Sequence, residues 1–379
     1  MTIRNRSSSL TTFSRDAWLE INLNAIEHNL KTIKQSIKPQ TKIMAVVKSD
    51  AYGHGAATLA KLLEANGVIY FGVASVDEGV HLREAGVLSD VLILSPTPSW
   101  SFARAIENNL QLTISNKEQL NKLLQLQESL KQKISLQVKV NTGMNRNGAK
   151  WNTEAPKLIQ NILSETNKLS LKGVFSHLAN SYSDAFTATQ LKRFTNLTEQ
   201  FNKTDLGITH IEASQALHSE ADNDFDMIRL GISLYGLGSA SEKLTLKPAL
   251  SLHARISQIQ DIEEKESVGY GLTWTAQRKS KIGLLPLGYA DGLKRGLSNK
   301  ISCLYKGQLF PQVGTISMDQ VSFDFTNCPE IKTGETVTLI GKSKEKSLGV
   351  GEWSKILNTI DYEIVCDLRA RLPKIYTRK

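Results

Sequence analysis

Residues 43–55 read IMAVVKSDAYGHG. The apolar run 43–47 has the length of a strand buried on both faces of a parallel sheet, and Lys48 stands where that strand must end. Two readings of this lysine fit. Its stem can cover the strand end while the ammonium reaches water. Alternatively, a lysine withdrawn from water without a counter-ion is held neutral, and a neutral amine attacks a carbonyl to form a Schiff base. Tyr52 follows four residues on, beside two glycines and His54, in a turn.

Outward from this stretch the chain alternates. Before it, Ile26, Leu30, Ile33 and Ile37 mark one buried stripe of a helix. After it, an alanine- and leucine-rich helix over 56–66 stops at Gly67, and a strand is expected over 68–73. Ser75 and Glu78 have the spacing of a capping box for a helix over 76–85, closed by Gly86. Further apolar runs at 91–94, 111–114, 134–140, 171–176, 208–213 and 226–230 bring the strand candidates to eight, with helical patterns such as 117–130 and 187–201 between them. This predicts a (β/α)8 barrel of the TIM type, with an open doubly wound sheet as its rival. No G-x-G-x-x-G follows a first strand, which counts against dinucleotide binding.

Beyond about residue 250 the texture changes. Strands are expected over 252–262, 281–287, 301–305, 308–313, 321–325 and 336–340, separated by Gly, Asn and Lys-Gly turns, with one helix over 351–358. The expected organisation is a disordered start over 1–15, the barrel over 16–250 and a mainly β C-terminal domain over 251–379.

The net charge of +9 admits nucleic acid or an anionic membrane as partner. Its distribution argues against both: the one strongly basic stretch is the end, LRARLPKIYTRK, read as a solvated tail without the motifs of nucleic-acid modules. The chain contains no apolar run of the roughly 18 residues needed to span a membrane and no signal-peptide core. Cys303, Cys328 and Cys366 are odd in number and have no metal-ligand spacing, so reduced thiols of a cytoplasmic protein, and no metal, are expected.

In such barrels the active site lies at the carboxyl ends of the strands. Lys48 and Tyr52 follow the first strand, Lys139 lies near the end of the fifth with Arg146 beyond it, and His177 caps the sixth. Ser214 follows the seventh, and Arg229 with Gly231 ends the eighth. Each alone has a structural explanation: a surface charge for Arg146, a satisfied core histidine for His177, a helix cap for Ser214, a turn for Gly231. Together they offer short donors for a phosphate, an amine for an aldehyde, and arginines for an anionic oxygen and a ring nitrogen. Phosphate, aldehyde, phenolate and pyridine describe pyridoxal 5'-phosphate.

The ordered set VVKSDAYGHG (46–55), NTGMNRNG (141–148), SHLA (176–179), IRLGISLYG (228–236), VGYGLTW (268–274), LGYADG (287–292), ISMDQ (316–320) and YEIVC (362–366) resembles the alanine racemases, the fold-type III pyridoxal-phosphate family, over nearly the whole chain. The resemblance implies that Lys48 is the Schiff-base lysine and one of two bases, and that Tyr270, from the β domain of a partner subunit, serves the opposite face. It implies Arg229 on the pyridine nitrogen with His177 beside it, and Arg146 on the phenolic oxygen, oriented by Lys139, which relatives often carry as a carbamate. Tyr52, Ser214, Gly231, Ile232 and Tyr362 would hold the phosphate. Arg146 and Met318 would meet the substrate, alanine. Asp319 is either an orienting partner of Tyr270 or a β-turn aspartate, and Tyr270 itself could instead pack within its sheet. A homodimer with shared active sites, supplying D-alanine for cell-wall peptidoglycan, is implied.

Two departures stand out. Asn141 and Asn147 occupy positions where alanine racemases commonly have aspartate and leucine, which brings the loop closer to broad-specificity racemases, and HIEASQAL (210–217) departs from the usual string around the phosphate serine. The alternatives are a broad-specificity amino-acid racemase, a non-catalytic pyridoxal-phosphate homeostasis protein, whose single barrel would end near residue 240, and a fold-type III decarboxylase, which would place a carboxylate where Arg229 stands.

Overall fold

The computed structural model of the chain describes residues 15–130, 132–180, 185–218, 225–238, 243–368 and 371–379. Apart from Arg15, the start expected to be disordered lies outside them. The described residues form two compact units, one over Glu27–Leu246 and one joining residues up to Ile26 with Lys247–Lys379.

Strand β1 (Ala17–Asn22) departs from the expected division, which placed it with the barrel. It pairs antiparallel with Leu250–Arg255 on one side and parallel with Lys374–Thr377 on the other, inside the β unit. The reason is its alternation: Ala17, Leu19 and Ile21 are fully buried on one face, the pattern of a strand in a sheet with one covered face rather than of a barrel strand.

The barrel is built from β2 (Lys42–Val46), β3 (Tyr70–Val73), β4 (Asp90–Ile93), β5 (Leu112–Ile114), β6 (Ile134–Asn141), the two-residue β7 (Ala149–Lys150) returning beside the end of β6, β8 (Leu169–Phe175), β9 (Ile208–His210) and β10 (Met227–Leu230). Parallel ladders run β10-β2-β3-β4 and β5-β6-β8-β9. Single parallel bridges, Leu92 to Gln111 and Ala213 to Arg229, join the two arcs at both ends and close the ring, as the (β/α)8 pattern predicts. Met44, Leu92, Phe175 and Met227 pack at its centre. The capping box at the helix Val76–Glu84 forms by half. Ser75 Oγ accepts from Glu78 N at 3.3 Å, but the Glu78 carboxylate turns away to the amides of Ala74 and Ser49.

The β unit contains β11 (Leu250–Arg255), β12 (Gln258–Ile262), β13 (Ser280–Leu285), β14 (Ser302–Tyr305), β15 (Gln308–Val313), β16 (Val321–Asp324), β17 (Thr336–Ser343), β18 (Lys346–Leu348) and β19 (Lys374–Thr377), which with β1 form a ten-stranded sheet. The single strand expected over 252–262 is two. The chain switches partners at its middle, where Ile256 N bonds Glu335 O and Ser257 N bonds Leu284 O. A second helix, Asp361–Asp367, follows Val350–Leu357, because Ile364 and Val365 give it a buried side that its short apolar string conceals. The basic end is not a solvated tail. Ile375, Tyr376 and Thr377 suit a pleated surface and add an edge strand to β1, while the Lys379 ammonium pairs with Glu20. Lysine and arginine on such an edge discourage further strand pairing.

Candidate active site

The barrel strands deliver the expected residues to one mouth. Lys48, half-buried, opens a helical turn in which Ser49, Asp50, Ala51 and Tyr52 all have φ of 52–54°, a left-handed conformation. Four such residues, none glycine, cost roughly 1–2 kcal/mol each. Strain of that size persists only where the surroundings over-determine it, and it gathers at functional sites. Here Ala51 N bonds Val47 O at 2.8 Å and Gly53 N bonds Ser49 O at 3.0 Å. Asp50 Oδ1 caps the next helix at Ala56 N. His54 Nδ1 bonds Tyr52 O at 2.8 Å, and its ring stacks on Tyr235, whose hydroxyl donates to Val46 O.

Tyr52 is buried with its hydroxyl against Gly231, where an added Cβ would lie 2.5 Å from the oxygen. Only a glycine leaves that space. Gly231 N donates to Ser214 Oγ at 3.2 Å, Ser233 Oγ donates to the same oxygen at 2.9 Å, and Ile232, 2% exposed, begins the 3-10 turn Ile232–Tyr235. Three hydroxyls and the start of a turn thus meet around one glycine, a donor set suited to phosphate oxygens.

Deeper in the mouth, Arg229 is 5% exposed. Its Nη2 donates to Ser176 O, Ile211 O and His177 Nδ1, and its Nη1 donates to His210 Nδ1 at 2.6 Å and to His210 O. Both imidazoles must be neutral to accept. Burial first, then the charges of Arg229, Lys139, Arg146 and Lys48, pulls His177 down to about 2. Burial, then Arg229 and Lys139, holds His210 far below the ordinary histidine value. Lys139 sits over the Phe175 ring at 4.5 Å, and burial, helped by Arg229 and Arg146, holds it well below the usual lysine range. Arg146 is exposed on the loop between β6 and β7, whose base is closed by Asn141 Oδ1 accepting from Gly143 N and Asn145 N.

Three residues of this network escaped the sequence reading. His210 Nε2 bonds Gln137 Oε1 at 2.7 Å, and Gln137 Nε2 donates to Gln111 Oε1 at 2.8 Å, all buried. The available signal was polar side chains inside apolar strand runs, since a buried polar group is the informative exception.

The other expected residues lie in the β unit. Tyr270 stands between Gly269 and Gly271, at φ of 77° and 74°, and is 74% exposed, so packing within its own sheet does not account for it. Its backbone is held by Thr315 Oγ1. The motifs 268–274, 287–292 and 316–320 converge here: Tyr289 N and Ala290 N bond Ser317 O and Met318 O, and Gly288 and Gly314 leave no room for a Cβ against Met318 O and Val268 O. Met318 is exposed, beside a turn held by Ser317 and Gln320. Asp319 does not orient Tyr270. Its carboxylate is held by Arg371 at 2.7 Å, because a guanidinium is the stronger partner for a carboxylate than a phenol. Tyr362 is half-buried in the first turn of Asp361–Asp367, where burial and then Asp361 raise its hydroxyl above the ordinary tyrosine value.

Residues 21–239 match the family model "Alanine racemase, N-terminal domain", and residues 249–376 match "Alanine racemase, C-terminal domain". The chain belongs to the alanine racemase family. It is 36% identical to the alanine racemase of Nostoc sp. over 96% of both chains. Among solved structures, the alanine racemase of Clostridium difficile superposes with a TM-score of 0.90 at 32% identity over 97% of each chain, and the same enzyme in complex with cycloserine with a TM-score of 0.87. The match to a C-terminal domain removes the single-barrel homeostasis protein as a reading. The alanine racemase family depends on pyridoxal phosphate, and the residues here fit it: the cradle at Gly231 suits the phosphate, and the cationic, acceptor-ringed Arg229 suits a ring nitrogen.

Proposed function

We propose that this protein interconverts L- and D-alanine with pyridoxal phosphate held at the barrel mouth, and that the D-alanine serves cell-wall peptidoglycan. The observation that carries this is Arg229, buried among carbonyls and neutral imidazoles at the end of β10. A guanidinium keeps its protons, so it bonds a pyridine nitrogen without protonating it. That restrains delocalisation into the ring and disfavours transamination and decarboxylation. When bound, the cofactor supplies the electron sink that acidifies the α-proton of an amino acid.

Lys48 Nζ is assigned to the proton on one face of the substrate Cα, and Tyr270 Oη, from a partner subunit, to the proton on the other; inversion needs acid and base on opposite faces. Tyr52, Ser214, Gly231, Ile232 and Tyr362 bind the phosphate, Arg146 the phenolic oxygen and substrate, and Met318 lines the carboxylate site. Lys139, whose pKa burial lowers well below the usual lysine range, is a candidate for carbamylation, which would give Arg146 an anionic partner. The homodimer is supported by the exposure of Tyr270, Leu272 and Met318 in the β unit, where Tyr270 lines a cavity of about 530 Å³. A cytoplasmic location is supported by three free cysteines, two of them buried. Among the described residues no helix is long and apolar enough to cross a membrane. A broad-specificity racemase is the second reading: Asn141 Oδ1 accepts from Gly143 N and Asn145 N, but its Nδ2 also donates to Asn145 Oδ1, a bond that the aspartate common in alanine racemases could not make.

The test is direct. Purified protein supplied with pyridoxal phosphate and L-alanine is expected to yield D-alanine on a chiral column. No enantiomer exchange with cofactor bound would sink the reading.

A further inference from the structure

We propose that Glu78 is a positioning residue for Lys48, acting through the left-handed turn that follows it. Glu78 lies in the first turn of the helix Val76–Glu84, where its spacing from Ser75 suggests a helix cap. Its carboxylate does something else. Oε2 accepts from Ala74 N at 2.6 Å and Oε1 from Ser49 N at 2.7 Å, so one side chain ties the loop after β3 to the first residue beyond Lys48. These are short, charge-assisted bonds.

The turn needs such a tie. Ser49, Asp50, Ala51 and Tyr52 each hold a backbone conformation that L-residues rarely adopt, and each would relax toward a right-handed or extended one if released. Other restraints include the Ala51 N to Val47 O bond across Lys48 and, at the far end, the Asp50 cap on Ala56 and His54 on Tyr52 O. Glu78 acts at its near end, one residue from the amine. The position of Lys48 Nζ therefore depends on a carboxylate that is bonded to the backbone at Ser49 and Ala74.

The kinetic arm of the test rests on the racemase reading; the exchange arm does not. Glu78→Ala and a control, Asp77→Asn, are compared in the full-length protein. Asp77 shares the helix's first turn and pairs with Arg104, so its loss weakens the helix start without touching Ser49. In Glu78→Ala, hydrogen exchange at the Ala51, Gly53 and Gly55 amides, bonded within the turn, is expected to quicken roughly ten- to hundredfold, and in Asp77→Asn to stay within about twofold. Borohydride-trapped capture of pyridoxal phosphate by Lys48 is expected to slow about tenfold in the first variant alone. Glu78→Gln, which keeps one acceptor oxygen, is expected to fall between. Unchanged turn exchange in Glu78→Ala, capture at the normal rate, or equal effects in Asp77→Asn would each overturn the proposal. Absence of capture by the unaltered protein would instead count against the cofactor assignment.

Discussion

Arg229 Nη1 donates to His210 Nδ1 at 2.6 Å, and this bond places the His210 proton on Nε2, where Gln137 Oε1 accepts it at 2.7 Å. The arginine is thereby built into a buried row that runs through His210 and Gln137 to Gln111. Lysine cannot replace it. Its three donors on a flexible stem do not reproduce a planar fork bonded to three carbonyls and two imidazoles. Arg229→Lys is expected to lose at least about 2 kcal/mol of stability, from buried acceptors left unpaired, and more than about tenfold in turnover. Urea denaturation and racemisation rates check this.

Lys48→Ala is expected to abolish turnover and borohydride-trappable imine while leaving the fold intact, since the side chain is half-buried at a strand end. Tyr270→Phe is expected to impair mainly proton removal from one enantiomer. Solvent-deuterium incorporation measured from each enantiomer separately checks the asymmetry; equal losses in both directions would contradict a one-sided base.

Gly231→Ala would drive a methyl group to within 2.5 Å of the Tyr52 hydroxyl. Overpacking of this kind costs about 1–3 kcal/mol. Because the clash falls where the phosphate is assigned, the affinity for pyridoxal phosphate is expected to drop by more than about tenfold. Titration of the cofactor by absorbance measures it, and Tyr52→Phe in the same chain is expected to recover part of the stability.

His177 titrates at about 2 in the folded chain against 6.5 for an ordinary histidine. Between those values the unfolded chain binds more protons, so stability rises with pH across the window, is fully present above 6.5, and is lost as pH falls toward 2. His177→Gln is expected to flatten the dependence of the urea midpoint on pH between about 4 and 6.5.

Burial lowers the Lys139 pKa well below the usual lysine range, which favours the neutral amine, the form that reacts with carbon dioxide. In ¹³C-bicarbonate the protein is expected to show a carbamate carbon resonance that Lys139→Ala lacks.

Much of this molecule follows from local pattern. Eight short apolar runs spaced by helical stripes specify a barrel, because burial on both faces and a period near 3.6 are properties each segment carries alone. The residues at the ends of those runs, from Lys48 to Arg229, are legible for the same reason: a strand must stop where its apolar run stops. What depends on partners distant in the chain is not written locally. β1 joins a sheet with residues more than 200 positions away, Asp319 goes to Arg371 rather than to Tyr270, and Glu78 leaves its own helix cap for Ser49. The left-handed turn after Lys48 is the sharpest case. Every residue in it except glycine disfavours that conformation on its own, and it is the packing of other segments around it that tips the balance.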